Sequence, residues 1–171
     1  AVATIAGYEA GLFLPRKVMD LVSTYALVTE PLHQDQLWPE ECLIWETARP
    51  YLYLRTTKDH RIIIGGEDIN FKNERLRDIL LARKTKKLLE KFNALFPDIP
   101  VKCDMTWCGT FSATKDGLPY IGAYPGIDNM FFALGYGGNG ITFSIIAAQV
   151  IRNKLKGVKD EREEVFGFNR K

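Results

Sequence analysis

The stretch Met130–Gly157, which reads MFFALGYGGNGITFSIIAAQVIRNKLKG, contains the elements that decide the fold. Its first five residues are apolar and predict a short buried strand. Four glycines then fall within six residues, which allows positive φ angles and a close approach of the backbone to a ligand. From Ile141 onward, apolar residues cover most of a helical surface, as in a buried helix. The stretch therefore predicts a strand, a glycine loop and a buried helix in succession.

The first turn of this predicted helix, Ile141–Ser144, contains no Asp or Glu. Its free N–H groups and the positive end of its dipole are therefore available to a ligand. Basic residues instead fall in the last turn, where they are favourable. The alternative is an ordinary strand–turn–helix connection, and the glycines alone do not decide between the two.

The composition excludes several classes of protein. The 171 residues are 46% hydrophobic and 26% charged, as in a packed globular domain. A net charge of +2 is too small to indicate a nucleic-acid or membrane-surface partner. Three cysteines, an odd number without metal-binding spacing, predict reduced thiols and a cytoplasmic protein. His33 and His60 are isolated from other ligand residues, so we expect no metal site.

The rest of the chain predicts an α+β fold, in which an antiparallel or mixed sheet is backed by one long helix. We expect strands near residues 21–29, 43–46, 51–56, 61–64, 101–113 and 120–122, and the helix at 74–96. The basic run Arg83–Lys87 is interpreted as a solvated helix face. Ala1–Ala6 resembles a strand without neighbours, so we expect a fragment of a longer chain; the family resemblance given below implies that the missing part is an N-terminal Rossmann-type half.

Several common catalytic motifs are missing from the sequence. No GxGxxG fingerprint follows a strand and opens a βαβ unit, so no complete dinucleotide-binding fold is encoded, and GYGGNG lacks the Lys-Ser/Thr pair of a P-loop. There is no nucleophile elbow, and no catalytic residue is identified. By elimination, any chemistry would be supplied by a cofactor.

Three segments in this order carry a family resemblance: Trp107–Gly109 with Thr114–Gly122, then Asn129–Gly140, then the apolar helix. They resemble the C-terminal part of FAD-dependent oxidoreductases of the D-amino-acid oxidase type. The resemblance implies a remnant of an FAD-domain strand at 1–9 and a substrate-binding domain at 10–113. It also implies an FAD-contacting segment at 114–157, followed by a charged tail at 158–171.

The resemblance implies non-covalent FAD and a role for three sets of residues. The cofactor would be contacted by Gly135, Tyr136, Gly137, Gly138, Asn139, Gly140 and Ile141. The substrate would be contacted by Trp45, Tyr51, Tyr53 and Phe111, although packing in the core is an equal alternative for the aromatic residues. The turn that positions the glycine loop would be built by Thr114, Asp116, Gly117 and Pro119.

Two departures from the family pattern bear on the substrate and the cofactor. Thr110–Ser112 contains no Arg where many family members clamp a substrate carboxylate, which favours an amine without that group. Gly109 stands where sarcosine oxidases have the cysteine that bonds the flavin, which favours non-covalent FAD.

The resemblance therefore predicts oxidation of an amine or amino-acid C–N bond by hydride transfer to FAD in the full-length protein. The partners would be a small amine and the missing FAD-binding half, with no nucleic acid or membrane, and the fragment alone would be inactive. The alternative is a non-enzymatic, stand-alone α+β domain that binds a ligand or a partner. An upstream segment carrying GxGxxG would distinguish the two hypotheses.

Overall fold

The computed structural model describes residues 2–4 and 7–170. The parts of the predicted strand Ala1–Ala6 that fall on positions 1, 5 and 6 lie outside these residues. The chain divides into two compact units, one comprising Ala1–Leu21 and Phe111–Lys171 and the other Val22–Thr110. We refer to them as the terminal unit and the central unit. None of the described helices is both long and apolar enough to cross a membrane.

The described elements follow the predicted order closely. The strands are β1 (Val2–Thr4), β2 (Asp20–Thr29), β3 (Ile44–Trp45), β4 (Leu52–Thr56), β5 (Ile62–Asn70), β6 (Cys103–Ala113), β7 (Tyr120–Ala123) and β8 (Met130–Leu134). The α-helices are α1 (Glu74–Ile79), α2 (Leu81–Leu95), α3 (Gly140–Leu155) and α4 (Arg162–Phe166), and 3-10 turns lie at Gly7–Phe13, Gln34–Gln36 and Pro39–Glu41.

The central unit contains a five-stranded sheet in the order β3-β4-β5-β2-β6. β3 with β4, β4 with β5 and β5 with β2 are all antiparallel, which confirms the predicted meander. Alternate residues of β2, β4 and β5 point into one core that also contains Leu88 and Phe92 of α2. The helix therefore covers one face of the sheet, as expected for strands with a period of two.

The predicted helix at 74–96 is two helices that meet at Leu80. Asn73 caps the first, since its side chain accepts a hydrogen bond from the Leu76 N–H at 2.8 Å. This is the N-cap interaction favoured for Asn. The apolar period continues through Leu80, so no pattern in the sequence predicts the break between the two helices.

The basic run Arg83–Lys87 is not solvated throughout, which corrects the sequence prediction. Lys84 is buried, and its ammonium lies 3.0 Å from Oε2 of Glu67. Lys84 occupies the same stripe of α2 as Leu88 and Phe92, four residues apart each time. The β2–β5 register shifts between Ser23 and Tyr25, and Glu67, with φ of 54°, lies in this irregular region. The carboxylate is therefore available beneath the helix, which the charge pattern alone could not show.

The terminal unit contains a three-stranded sheet in the order β1-β8-β7. β1 runs parallel to β8, and β7 runs antiparallel to it. Phe132, Ala133 and Leu134 of β8 are buried, as predicted for this apolar run.

The burial expected for the helix in this stretch applies to only one side of α3. Ala147 and Val150 are buried in a cluster with Ile121 and Ala133, which lie on β7 and β8. Ile141 and Ile145 are 85% and 58% exposed within the chain. The other side of the helix therefore presents apolar surface that the described residues do not cover.

The segment 158–171, predicted as a charged tail, folds into the terminal unit. It forms α4, and Phe166 and Phe168 are buried. The Phe168 ring stacks on Tyr120 with 5.0 Å between centroids and contacts Phe132 edge-on at 6.0 Å. Two aromatic residues among many charges help to anchor the segment, because each buries a large apolar area.

Candidate functional site

Gly135 and Gly137 in the glycine loop of the terminal unit adopt positive φ angles and contact residues at the end of β6 and the residue after it. Gly135 has φ of 78°, and a Cβ built there would lie 2.6 Å from Cγ2 of Thr114. Gly137 has φ of 57°, and its N–H donates to the Ser112 carbonyl at 2.9 Å. These contacts fix the loop against the end of β6, where a larger residue would have to move the chain.

Helix α3 follows this loop with an uncapped N-terminus. Its N-cap residue, Asn139, makes no side-chain capping bond, and the first turn has no acidic residue. Ile141, in that turn, is largely exposed. The first N–H groups and the positive end of the dipole therefore remain available to an electron-rich group.

The turn at residues 114–119 contacts the glycine loop through the side chain of Thr114. The hydroxyl of Thr114 donates to the Leu118 carbonyl at 2.7 Å, and the Leu118 N–H donates to Asp116 Oδ1 at 3.1 Å. Gly117 has φ of 75°, as this turn requires. Thr114 thus belongs both to the turn and to the cradle around Gly135.

Arg170 locks this turn with a fork of hydrogen bonds. Its Nε and Nη2 donate to the two carboxylate oxygens of Asp116 at 2.8 and 2.9 Å. The guanidinium also donates to the carbonyls of Pro119 and Leu118 and lies 3.6 Å from the Tyr120 ring centroid. The neighbouring Arg170 lowers the pKa of Asp116 below its ordinary value. Asp116 is therefore a structural residue of the turn.

The open face of the central sheet carries three aromatic rings in contact. Trp45 and Tyr51 lie 6.1 Å apart between ring centroids, and Tyr51 and Tyr53 lie 6.3 Å apart. Trp45 pairs with Tyr53 across β3 and β4, so both side chains project from the same face. The Tyr53 ring lies over Gly65, where any Cβ would collide with it. We call these three residues the aromatic cluster.

Asp68 lies beside the aromatic cluster and was not singled out by the sequence. Burial is the largest influence on its carboxyl group and raises its pKa, although the hydroxyls of Thr24 and Tyr51 act in the opposite direction. Burial, with Asp68 second, also raises the pKa values of Tyr51 and Tyr53. Both phenols are therefore neutral hydrogen-bonding groups at ordinary pH.

The comparison with known families decides the assignment. The family profile described as FAD dependent oxidoreductase matches residues 2–153. The chain belongs to this family. Among the relatives of these FAD-dependent oxidoreductases, the probable oxidoreductase OrdL of Haemophilus influenzae is 26% identical over 88% of the chain and 33% of its own length. Gamma-glutamylputrescine oxidoreductase of Escherichia coli is 30% identical over 84% of the chain and 32% of its own length.

Solved structures of the family show the same fold. Glycine oxidase from Geobacillus kaustophilus superposes with a TM-score of 0.78 at 21% identity, over 100% of the chain and 45% of the oxidase. The family assignment and the α+β fold predicted from the sequence are both confirmed. The chain spans about a third of the length of these curated relatives.

The structure brings together part of the predicted site in this member of the family. Thr114 contacts the glycine loop, and the aromatic cluster is a continuous group of rings. Phe111 belongs to the terminal unit, whereas the cluster belongs to the central unit. The roles of these residues toward flavin and substrate stay predictions.

Sequence reasoning missed Asp68 and Arg170. Asp68 follows another carboxylate beyond the predicted strand 61–64, in a polar segment that the structure shows to be part of β5, and the irregularity of that strand leaves no mark in the sequence. Arg170 lies in a charged terminal segment, far in sequence from Asp116. The alternation of Phe166, Phe168 and Arg170 is a sequence pattern that could have predicted burial of this segment on one side.

Proposed function

We propose that the full-length protein oxidises a C–N bond of a small amine or amino acid, with FAD as the hydride acceptor. The observation that carries this proposal is the uncapped start of α3 behind a glycine loop that is fixed by backbone geometry. The membership of the chain in the FAD-dependent oxidoreductases agrees with it.

The residues of this loop fit a flavin ring. Gly137 and Gly138 leave backbone accessible, since no atom lies within 4 Å of either Cβ position, and α3 provides N–H donors and a positive dipole end. Bound FAD would supply the two-electron acceptor, and Gly135–Ile141 would hold its electron-rich edge. No carboxylate of the described residues caps this helix start, so none of them competes there with such a ligand.

We propose that FAD is held without a covalent bond. Cys108 is the cysteine nearest to the expected attachment position, and it packs against the core of the central unit. Burial, followed by the hydrogen bond to Asp78 at 3.3 Å, raises the pKa of its thiol. A protonated, core-facing thiol is a poor nucleophile for flavin attachment. After acid precipitation of the full-length protein, we expect the yellow colour in the supernatant, and colour in the pellet would contradict this part of the proposal.

We propose that the aromatic cluster binds the amine. Aromatic faces attract cations, and Trp45 is 57% exposed within the chain, which leaves its ring accessible. The segment Thr110–Ser112 contains no arginine, and the guanidinium beside it, that of Arg77, already donates to the Thr110 hydroxyl at 3.0 Å and to Asp78 at 2.8 Å. An amine without an adjacent carboxylate therefore fits better than an amino acid.

The test is anaerobic reduction of the flavin in the full-length protein. Amines and amino acids are added in turn, and the loss of the visible flavin absorbance is followed. We expect reduction by at least one amine and none by the alcohols of the same carbon skeleton. A flavin that no amine or amino acid reduces would refute the proposed activity.

We also propose that this chain retains FAD only together with the FAD-binding half of the full-length protein. The chain covers about a third of its curated relatives, and one side of α3 is apolar and exposed. We expect the isolated chain to be purified without FAD and without turnover. Stoichiometric FAD on the isolated chain would show that this half is not needed.

A further inference from the structure

We propose that Asp68 recognises the positive charge of an ammonium group on the substrate, with the aromatic cluster around that charge. This inference rests on the proposed amine oxidation and names the residue that selects the substrate class. It concerns the central unit alone.

The carboxylate of Asp68 is only partly satisfied within the chain. Its Oδ1 atom is buried and has no hydrogen-bond partner among the described residues. Buried polar atoms are almost always paired, because an unpaired one loses its hydration without compensation. An unpaired carboxylate oxygen beside aromatic rings therefore indicates a missing partner that is a donor or a cation.

The neighbouring carboxylate shows what the chain does when it satisfies a buried charge itself. Glu67 is 3% exposed, and its two oxygens lie 3.0 Å from Lys84 and 3.1 Å from Lys91. Asp68 has no Lys or Arg nitrogen within 4.0 Å among the described residues. The irregularity in the β2–β5 pairing interrupts the alternation of this strand, so that Glu67 contacts α2 while Asp68 interacts with Thr24 and Tyr51 on the open face. The same strand thus carries one paired carboxylate and one without a cation.

The groups around Asp68 suit an ammonium ion. The hydroxyls of Tyr51 and Thr24 interact favourably with the carboxylate, and Tyr53 lies within range of its charge. Two cations act on the Asp68 carboxyl group from beyond 4.0 Å: Lys84, which pairs with Glu67, and the exposed Arg49, which lies 5.3 Å from the Tyr51 ring centroid. An ammonium ion between the carboxylate and the rings would gain a charge-assisted hydrogen bond and cation–π attraction together.

Two positions of this charge on the substrate are chemically equivalent for Asp68. The amine must be neutral when its carbon gives up a hydride, so the recognised charge is either that of the incoming ammonium or that of a second ammonium group. A monoamine has only the first, whereas a diamine retains the second throughout the reaction. Comparing n-butylamine with the terminal diamine of the same chain length separates the two cases.

The test uses the full-length flavoprotein with Asp68→Asn, and Asp98→Asn as the matched control. Asp98 is an exposed carboxylate after α2, also in the central unit. For Asp68→Asn we expect KM to rise about tenfold or more, as for loss of one hydrogen bond to a charged group, with kcat changed much less. A rise for both amines assigns the incoming ammonium, and a rise for the diamine alone assigns the second group. Unchanged KM values for both amines would overturn the inference.

A second measurement separates recognition of charge from a structural role. Inhibition by tert-butylammonium, which has no hydrogen on the carbon next to nitrogen and cannot be oxidised there, and by tert-butanol is compared in the wild-type and variant proteins. We expect the wild-type protein to prefer the ammonium ion, and Asp68→Asn to lose this preference while its thermal midpoint stays close to that of the wild type. Equal inhibition by both compounds in the wild-type protein would overturn the inference without any variant.

Failure of the proposed function has a different signature. If no amine or amino acid reduces the wild-type flavin, the proposed activity is wrong before Asp68 is tested. If amines reduce the flavin but Asp68→Asn behaves like Asp98→Asn, the activity stands and the role of Asp68 is wrong.

Discussion

Gly135 of the terminal unit and Gly65 of the central unit both lie against a neighbouring side chain, but glycine is required at the two positions for different physical reasons. At both, the place of a Cβ is filled by the side chain of a neighbour, Thr114 or Tyr53. Gly135 also has φ of 78°, which disfavours any other residue, whereas Gly65 has ordinary strand geometry. The glycine loop is therefore fixed by its backbone and the aromatic cluster by its side chains. The first tolerates no substitution without strain, and the second can adjust by moving a ring.

The largest effect is expected from the buried support next to the aromatic cluster. Lys84→Met leaves the buried Glu67 carboxylate with Lys91 at 3.1 Å and Lys87 at 3.8 Å, and we expect a loss of about 3 kcal/mol in unfolding free energy. Urea unfolding followed by near-ultraviolet circular dichroism measures it. Lys86→Met, on the exposed side of the same helix, is the control and should change stability little. Equal losses in the two variants would show that Glu67 does not depend on Lys84.

The second effect tests whether the loop is fixed by its backbone. Gly135→Ala combines a left-handed φ with a collision at the Thr114 methyl group, and we expect about 1–3 kcal/mol of destabilisation with loss of FAD from the full-length protein. Gly126→Ala is the control, because Gly126 has φ of 86° but no atom within 4 Å of its Cβ position.

Thr114→Ser removes the colliding methyl group and should recover part of the stability lost in Gly135→Ala. The remaining loss should then match that of Gly126→Ala, since both retain the unfavourable φ. If Thr114→Ser restores nothing, the cradle described here is not what selects glycine at position 135.

A smaller effect on stability is expected in the aromatic cluster. Gly65→Ala displaces the Tyr53 ring, and since a side chain can move more cheaply than a backbone, we expect a loss of about 1 kcal/mol or less. The KM of the amine should nevertheless rise in the full-length protein, because the binding surface changes. Gly65→Ala combined with Tyr53→Phe should recover only part of the loss, since the added Cβ meets the ring carbons Cζ and Cε1 as well as the hydroxyl oxygen. A stability loss as large as that of Gly135→Ala would remove the contrast between the two regions.

The smallest effect concerns pH. The pKa of Asp116 is lowered by Arg170 in the folded protein, so this pair stabilises the fold above the unfolded-state pKa of about 4 and is lost as pH falls below it. Because Asp116 is partly exposed, we expect a contribution of about 1 kcal/mol or less. Asp116→Asn should lower the thermal midpoint at pH 7 but show a shallower decline than the wild type in acid. Parallel declines would mean that Asp116 does not titrate with the fold.

The sequence predicted the elements better than their contacts. The strands at 21–29, 51–56 and 130–134 were found, because β-branched and apolar residues recur with a clear period. The antiparallel meander followed from the short connections. The break at Leu80 was missed, since its residues satisfy the helical period on both sides. The folded segment after Gly157 was missed because charge outweighed two phenylalanines in the reading of its composition.

The amino-acid sequence alone was enough to predict the α+β fold, the family and the acid-free start of α3, because each depends on a local pattern or on motifs in a fixed order. Three contacts became apparent only in the folded chain: Lys84 is buried against Glu67, Arg170 binds Asp116, and one oxygen of Asp68 is unpaired beside two tyrosines. Those facts depend on a register shift and on residues distant in sequence, and such contacts are fixed by how the strands pair. A pattern along the chain shows which residues are polar, but not which charged side chains form ion pairs with each other.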